Sequence, residues 1–158
     1  MALGNTVVTN TAYAVGQMGN VIAAIWREPL SKKGVTALQQ TMDLFVHRYQ
    51  KIGLLVVIEQ AAGTRPDKEG RAALEQVIKT YGTNLGSVVL FFSGVGIQAS
   101  LIRNIVNAVT LVTRTRQPTS VHGTLPEACE RLAKDLKAAG APIDGGAVLH
   151  FAESLRGS

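Results

Sequence analysis

Two polar segments that each follow an apolar run are the first candidates for chemistry in this sequence. Glu59 and Gln60 follow the run 54–58, and Ser93-Gly-Val-Gly96 follows the run 87–92. Ligands of open α/β sheets bind outside the carboxyl ends of the strands, so both segments stand where a site is expected. The candidate partner or ligand surface consists of Glu59, Gln60, Thr64, Arg65, Ser93, Gly94 and Gly96.

Thr64 is the one hydroxyl-bearing residue in the segment Ala61–Asp67. Its spacing to Asp67 fits the Ser/Thr-x-x-Asp/Glu pattern of a helix start, with Pro66 early in the first turn. A phosphate would be tolerated at such a helix start, because the helix dipole favours negative charge there. The capping role explains every residue present and is favoured over a phosphoacceptor role.

Glu59 has two interpretations. As a general acid or base it would need a positioned partner, and neither a histidine nor a second carboxylate stands beside it in the sequence. The favoured interpretation is an exposed residue at the strand end, paired with Arg65 or Lys68. Ser93–Gly96 is favoured as a tight turn, because it lacks the Gly-Lys-Ser/Thr ending of a phosphate loop.

The histidines and the single cysteine do not have the spacing of metal ligands. His47, His122 and His150 form no i,i+4 pair, and Cys129 is close to none of them in sequence. We therefore predict no metal, no cofactor and no catalytic residue, and we expect Cys129 to be a small buried apolar residue. Trp26 is expected in the core, with a role as a partner anchor as the alternative.

Composition indicates one domain over residues 1–158. The 158 residues are 46% hydrophobic, which suffices for a core, and the lone cysteine suits a reducing, cytoplasmic compartment. No apolar run reaches the length of a membrane span. The net charge of +5 comes from scattered basic residues with only 5% aromatics, so nucleic acid is not favoured as a partner, whereas peripheral contact with an anionic membrane stays an alternative.

Apolar periodicity predicts the elements that position these residues. Strands are predicted at 11–17 and 20–27, joined as a hairpin, and at 54–58, 87–92 and 119–122. Helices are predicted from Ser31 to about Gln50, at 67–81 with Gly82 as C-cap, at 97–112, after the capping box Thr124-Leu-Pro-Glu127, and at 147–155.

This order predicts an α/β fold with a mixed, mostly parallel sheet of four or five strands. The hairpin forms an antiparallel edge, four or five helices cover the sheet, and the core spans about 11–137 with 138–158 as a C-terminal extension. Since the strands at 54–58 and 87–92 should be parallel, the turns that leave them should share one edge. The broad apolar stripe of the helix at 97–112 fits either a homodimer interface or internal burial.

The element order, together with LLVVIEQ, SVVLFFSGVG and TSVHGTLPEACERLAKDL, resembles the STAS superfamily of sulfate-transporter and anti-sigma-factor-antagonist domains. The likeness covers roughly residues 11–136 and is greatest to the single-domain SpoIIAA-like bacterial members. Such a resemblance implies a four- or five-stranded sheet with helices, no catalysis, and function through binding of partner proteins, sometimes controlled by phosphorylation.

One motif departs from the family pattern. Regulated antagonists carry an Asp-Ser pair at the helix start after the strand that matches Leu54–Ile58, and this chain has Ala61-Ala-Gly-Thr64 there. We therefore expect a bacterial regulatory or scaffold domain that acts through protein–protein interaction without the phospho-switch serine. The alternative is a domain that binds a small ligand or an anionic lipid.

Overall fold

Three neighbouring strands form the centre of the sheet, and every one of their residues is buried. They are β3 (Val21–Trp26), β4 (Ile52–Ile58) and β5 (Leu85–Phe92). Both neighbouring pairs are parallel, and Ile58 lies opposite Phe92. Strands covered on both faces must be apolar along their whole length, which explains the continuous runs of valine, leucine and isoleucine.

The computed structural model describes residues 4–59, 68–93 and 118–158. The predicted helix at 97–112 and the predicted helix start at Thr64–Asp67 lie outside these residues. None of the helices in the described ranges is long and apolar enough to cross a membrane.

Within the described residues six strands form one sheet in the order β1 to β6, so the prediction of four or five was too low. The outer strands are β1 (Asn5–Thr9), β2 (Tyr13–Met18) and β6 (Thr119–His122). The hairpin of β2 and β3 is confirmed, with a turn in which Gly19 has a φ of 55°. It is not the edge, because β1 pairs antiparallel with β2.

The sequence Asn-Thr-Val-Val-Thr of β1 gave no strand prediction because it shows no alternation of apolar and polar residues. Its register with β2 shifts between Thr6 and Val8. A bulge of this kind interrupts the two-residue period on which strand prediction depends.

Two helices cover each face of the sheet within the described residues, which confirms the α/β class. On one face α1 (Lys32–Phe45) and α2 (Lys68–Thr80) pack against β3, β4 and β5. On the other face lie α3 (Leu125–Ala138) and α4 (Gly145–Arg156).

The predicted helix caps are present at α1 and α3. The Ser31 hydroxyl accepts from the Gly34 amide at 3.2 Å, and the Thr124 hydroxyl accepts from the Glu127 amide at 3.3 Å. The sequence gave no prediction for the third cap, Asp144, whose carboxylate accepts from the Gly146 amide at 3.3 Å and starts α4. Each cap satisfies one of the unpaired amides of a first helical turn.

Two predicted helix ends were wrong. The first helix ends at Phe45 rather than near Gln50, and Tyr49, just after the turn 46–48, still packs against the same core. The apolar spacing therefore continued past the end of the helix. Gly82 is not a left-handed C-cap, because it opens a short 3-10 turn, and positive φ among the described glycines occurs at Gly19 and Gly140.

The predicted terminal helix is confirmed and begins two residues earlier than expected. Val148, Phe151 and Leu155 of α4 are 0%, 6% and 1% exposed, and they pack with α3 against the sheet. Residues after 138 thus contribute a helix to the apolar core between the sheet and α3.

Gly70 is needed where α2 starts because the helix passes directly over the segment that leads into α1. A Cβ at Gly70 would lie 2.3 Å from the carbonyl oxygen of Leu30 and 2.8 Å from the amide nitrogen of Ser31. These atoms belong to the backbone, so the clash can be relieved only by moving one element away from the other.

We predict that Gly70→Ala destabilises the protein by about 1–3 kcal/mol, the usual effect of overpacking. Urea unfolding followed by the fluorescence of the single tryptophan, Trp26, measures it. Gly146→Ala is the matched control, since a Cβ at that first-turn glycine meets nothing nearer than 3.7 Å. Equal unfolding free energies for the two variants would contradict the close approach at Gly70.

Candidate functional site

Glu59 and Ser93 leave neighbouring parallel strands at the same edge of the sheet. The Ser93 amide donates to the carbonyl of Ile58 at 2.9 Å, and the Glu59 amide donates to the carbonyl of Trp26 at 2.9 Å. The carboxyl ends of β4 and β5 are therefore aligned, as predicted, and the carboxyl end of β3 lies beside them.

Arg156, the last residue of α4, connects the two candidate residues. Its Nε donates to Oε1 of Glu59 at 2.7 Å, and its Nη2 donates to Oε2 at 3.2 Å. The same Nη2 donates to the Ser93 hydroxyl at 3.3 Å, and the guanidinium carbon lies 5.5 Å from the centre of the Phe91 ring. A planar guanidinium suits this arrangement, because it can pair with a carboxylate through two nitrogens and stack on an aromatic ring.

Arg27, the residue after β3, fixes the end of α4 from the other side. Its guanidinium donates to the carbonyls of Leu155 at 3.1 Å and Ser158 at 2.8 Å. The last carbonyls of a helix have no partner within the helix, and a cation there is also favoured by the helix dipole. Arg27 thus adds a charged donor to the Leu155 carbonyl, which also accepts from the Ser158 amide, and it holds the C-terminal end of α4 against the carboxyl edge.

We name Arg27, Glu59, Ser93 and Arg156 the carboxyl-edge patch. The Glu59 and Arg156 side chains are 26% and 29% exposed, so water and a partner surface can reach them while the pair stays partly screened from solvent. Because both Glu59 oxygens accept from Arg156, the carboxylate is poorly placed to accept a proton from a substrate. The arrangement instead presents fixed charges over an aromatic ring.

The partner of Glu59 among the described residues is Arg156, which donates to both carboxylate oxygens, and not the predicted Lys68. Arg65, the other predicted partner, lies outside the described residues. No signal near Glu59 in the sequence could have shown the contact with Arg156, because the two residues are 97 positions apart. The remaining predicted residues lie outside the described ranges; they are Gln60, Thr64, Arg65, Gly94 and Gly96.

A second polar cluster lies between β5, β6 and α3. The Asp135 carboxylate is 8% exposed and accepts from the Ser87 hydroxyl at 2.8 Å and from Nε of Arg131 at 3.0 Å. On β6, Ser120 and Nε2 of His122 share a hydrogen bond of 2.8 Å. Burial, followed by the nearby charge of Arg131, lowers the pKa of His122. The sequence gave no prediction for this cluster.

Metal-ligating residues are not brought together within the part of the chain that the structure describes, where no three His, Cys, Asp or Glu residues form a group. His47 and His150 are exposed. Cys129 is 1% exposed, as predicted for a small core residue, and burial raises the pKa of its thiol to about 12. Trp26 is likewise 1% exposed, so the core interpretation is confirmed.

A scan of the chain against protein-family models finds no match, and a search among curated proteins finds none either.

We predict that Arg156→Met and Glu59→Gln are coupled by about 1 kcal/mol in a double-mutant cycle of unfolding free energies, the upper part of the range for accessible ion pairs. The coupling energy should be this large because Arg156 contacts Glu59 through two nitrogens and because both side chains are only partly exposed to solvent. The control is the Arg71–Glu75 pair, whose side chains are 45% and 20% exposed on a helix surface. Its coupling should be about 0.3–0.5 kcal/mol. Zero coupling between Arg156 and Glu59 would contradict the contact.

We also predict that His122 makes the fold sensitive to acid. Its pKa is lowered in the folded state, so the neutral ring is favoured there, whereas the unfolded ring becomes charged near pH 6.5. The stabilisation is complete above about pH 6.5 and is lost as the pH falls towards the lower folded pKa. The unfolding free energy of His122→Gln should therefore fall less between pH 7 and pH 5 than that of wild type. Ser120→Ala controls for the lost hydrogen bond, and parallel pH curves for wild type and His122→Gln would refute the prediction.

Proposed function

We propose that this chain is a non-enzymatic regulatory or scaffold domain that binds protein partners through the carboxyl-edge patch. The observation that carries the proposal is the contact of Arg156 with both Glu59 and Ser93, over the ring of Phe91. Three distant parts of the chain build one partly exposed surface there.

The composition of this surface supports protein recognition. Arginine and aromatic residues are enriched among the side chains that contribute most to protein–protein affinity. The guanidinium groups of Arg27 and Arg156 are held by hydrogen bonds, so little side-chain entropy would be lost when a partner binds. The occupied oxygens of Glu59 favour recognition over proton transfer.

The STAS-like relationship is part of the same proposal. The succession of a hairpin, crossover helices and parallel strands supports it, although the sheet has six strands rather than four or five. In regulated members the phosphorylated serine stands after the strand that corresponds to β4, and Glu59 follows that strand here. The proposed function is therefore partner binding at the same edge, without the Asp-Ser switch. Homodimerisation and a cytoplasmic, bacterial setting remain predictions.

A second candidate function is binding of a small anionic amphiphile. A cavity of about 590 Å³ lies at the opposite edge of the sheet, and its walls include the apolar Met18 and Ile143, the basic Arg48 and Lys51, and Asp144, the cap of α4. The Arg48 guanidinium lies 5.4 Å from the Phe45 ring centre and has no carboxylate partner among the described residues. Apolar walls beside an unpaired cation suit a ligand with an apolar tail and an anionic head.

The preferred proposal is tested by exchanging the charges of the ion pair, Glu59→Arg together with Arg156→Glu. The exchange keeps an attractive pair and reverses the charge that each position presents. We expect partners recovered by quantitative affinity purification with wild type to be lost with the exchanged variant, and a purified partner to bind at least about tenfold more weakly in calorimetry.

The exposed Lys134→Glu on α3 is the matched control and should recover the wild-type partners. Urea unfolding shows whether the exchanged variant is folded. If the folded exchanged variant retains every partner at unchanged affinity, the carboxyl-edge patch is not the binding surface. Sedimentation with anionic vesicles tests the second candidate, which predicts binding that Arg48→Glu abolishes.

A further inference from the structure

The outer edge of β1 is open in the described part of the sheet, where β1 pairs with β2 alone. The strand Asn5–Thr9 is mostly exposed, and it carries neither a charged residue nor a proline. Charged residues and proline are two of the devices by which natural proteins protect an edge strand, whose unpaired amides and carbonyls are a template for another strand. An uncharged open edge therefore has the hydrogen-bonding groups that an extended peptide needs.

An apolar groove runs beside this edge, between β1 and α1. Its volume is about 470 Å³, and Val7, Val8, Tyr13 and Leu44 are among its walls. Val7 and Leu44 are 43% and 63% exposed, and they are the exposed large hydrophobic residues of the described chain. Covering the exposed part of these side chains removes apolar surface from water and so favours a complex.

The bulge in β1 explains how the groove acquires two adjacent valines. Successive side chains of a regular strand point to opposite faces, so Val7 and Val8 could not both line one groove. The register shift between Thr6 and Val8 removes this restriction, and both valines line the groove. The bulge thus widens the apolar wall while the outer backbone groups of the strand stay open.

The groove is basic at one end. Lys33 lines it in the first turn of α1, and none of the described residues that line it is acidic. Lys33 has no carboxylate partner among the described residues. This end of the groove lies near Thr9. The first turn of α1 approaches the Tyr13 ring at Gly34, and the next residue of β2, Ala14, pairs with Thr9 in the sheet. A carboxylate is the complementary group for that end.

We infer that the groove between β1 and α1 binds an extended acidic peptide segment of another protein, which adds a strand to the sheet at β1. Main-chain hydrogen bonds to β1 supply affinity, and alternate peptide side chains enter the groove between Val7 and Leu44. An acidic residue of the peptide pairs with Lys33. Five residues of β1 give an edge of about 17 Å, which matches five or six peptide residues.

A second copy of this chain fits the groove less well. The β1 strand of a second copy has the sequence Asn-Thr-Val-Val-Thr and offers no carboxylate to Lys33. The chain also carries a net charge of +5, which opposes association of two copies. Charge complementarity therefore favours an acidic peptide from a different protein.

The probe is a displayed library of random twelve-residue peptides, selected against the full chain. We expect enriched peptides that alternate β-branched or aromatic residues with polar ones and carry Asp or Glu at one end. Fluorescence anisotropy of a labelled enriched peptide should show affinity losses of about tenfold or more for Leu44→Asp and for Lys33→Glu. Both residues are exposed, so the variants should fold.

Lys134→Glu on the opposite face is the matched control and should bind as wild type. The exchanged Glu59/Arg156 variant should also bind the peptide normally, which separates this inference from the proposed function. N-methylation of successive peptide residues tests strand addition directly. It should abolish binding at every second position, where the amide donates to β1, and be tolerated at the positions between.

Four results would overturn the inference. They are the absence of any enriched peptide, enriched peptides that bind Leu44→Asp as tightly as wild type, N-methylation without a two-residue period, and light scattering that shows a dimer dissociated by Leu44→Asp. The last result would assign the groove to a second copy of the chain.

Discussion

The parallel pairing of β4 with β5 is the constraint on which the rest of the structure depends. Both strands are buried along their whole length, so helices must cover both faces, and the backbone groups must pair within the sheet. The register that places Ile58 opposite Phe92 then fixes where the chain can leave the core. Glu59 and Ser93 are neighbours for this reason, although 34 positions separate them in the sequence (93 − 59).

Two arginines connect this edge to the C-terminal helix in different ways. Arg27 satisfies carbonyls at the end of α4, and Arg156 extends from the same helix end to Glu59 and Ser93. The apolar face of α4, including Phe151, is buried on the sheet at the same time. The carboxyl-edge patch and the packing of α4 are therefore coupled, because a change at the Glu59–Arg156 ion pair also loosens the attachment of α4 to the sheet. This coupling is why the exchange of charges, rather than the removal of one, is the informative perturbation.

Local rules in the sequence were enough for most of the fold. The caps at Ser31 and Thr124, the apolar runs of β4 and β5 and the terminal helix follow from hydrogen-bonding chemistry and periodicity. β1 could not be found because its bulge removes the two-residue period. The site was predicted in part. Parallel strands bring Glu59 and Ser93 to one edge, but the choice of Arg156 as their partner depends on how α4 docks, which no local pattern encodes.

The protein then has two surfaces of different character, a charged patch at the carboxyl edge and an apolar groove at the open strand β1. The partner binding that we propose at the first depends on the parallel arrangement of the central strands. Nuclear Overhauser contacts between backbone protons measure that arrangement most directly. The account predicts contacts between Ile58 and Phe92 and between Ile52 and Leu85, the two ends of the observed register. Contacts between Ile52 and Phe92 would show antiparallel strands and would contradict the account, because Glu59 and Ser93 would then lie at opposite ends of the sheet.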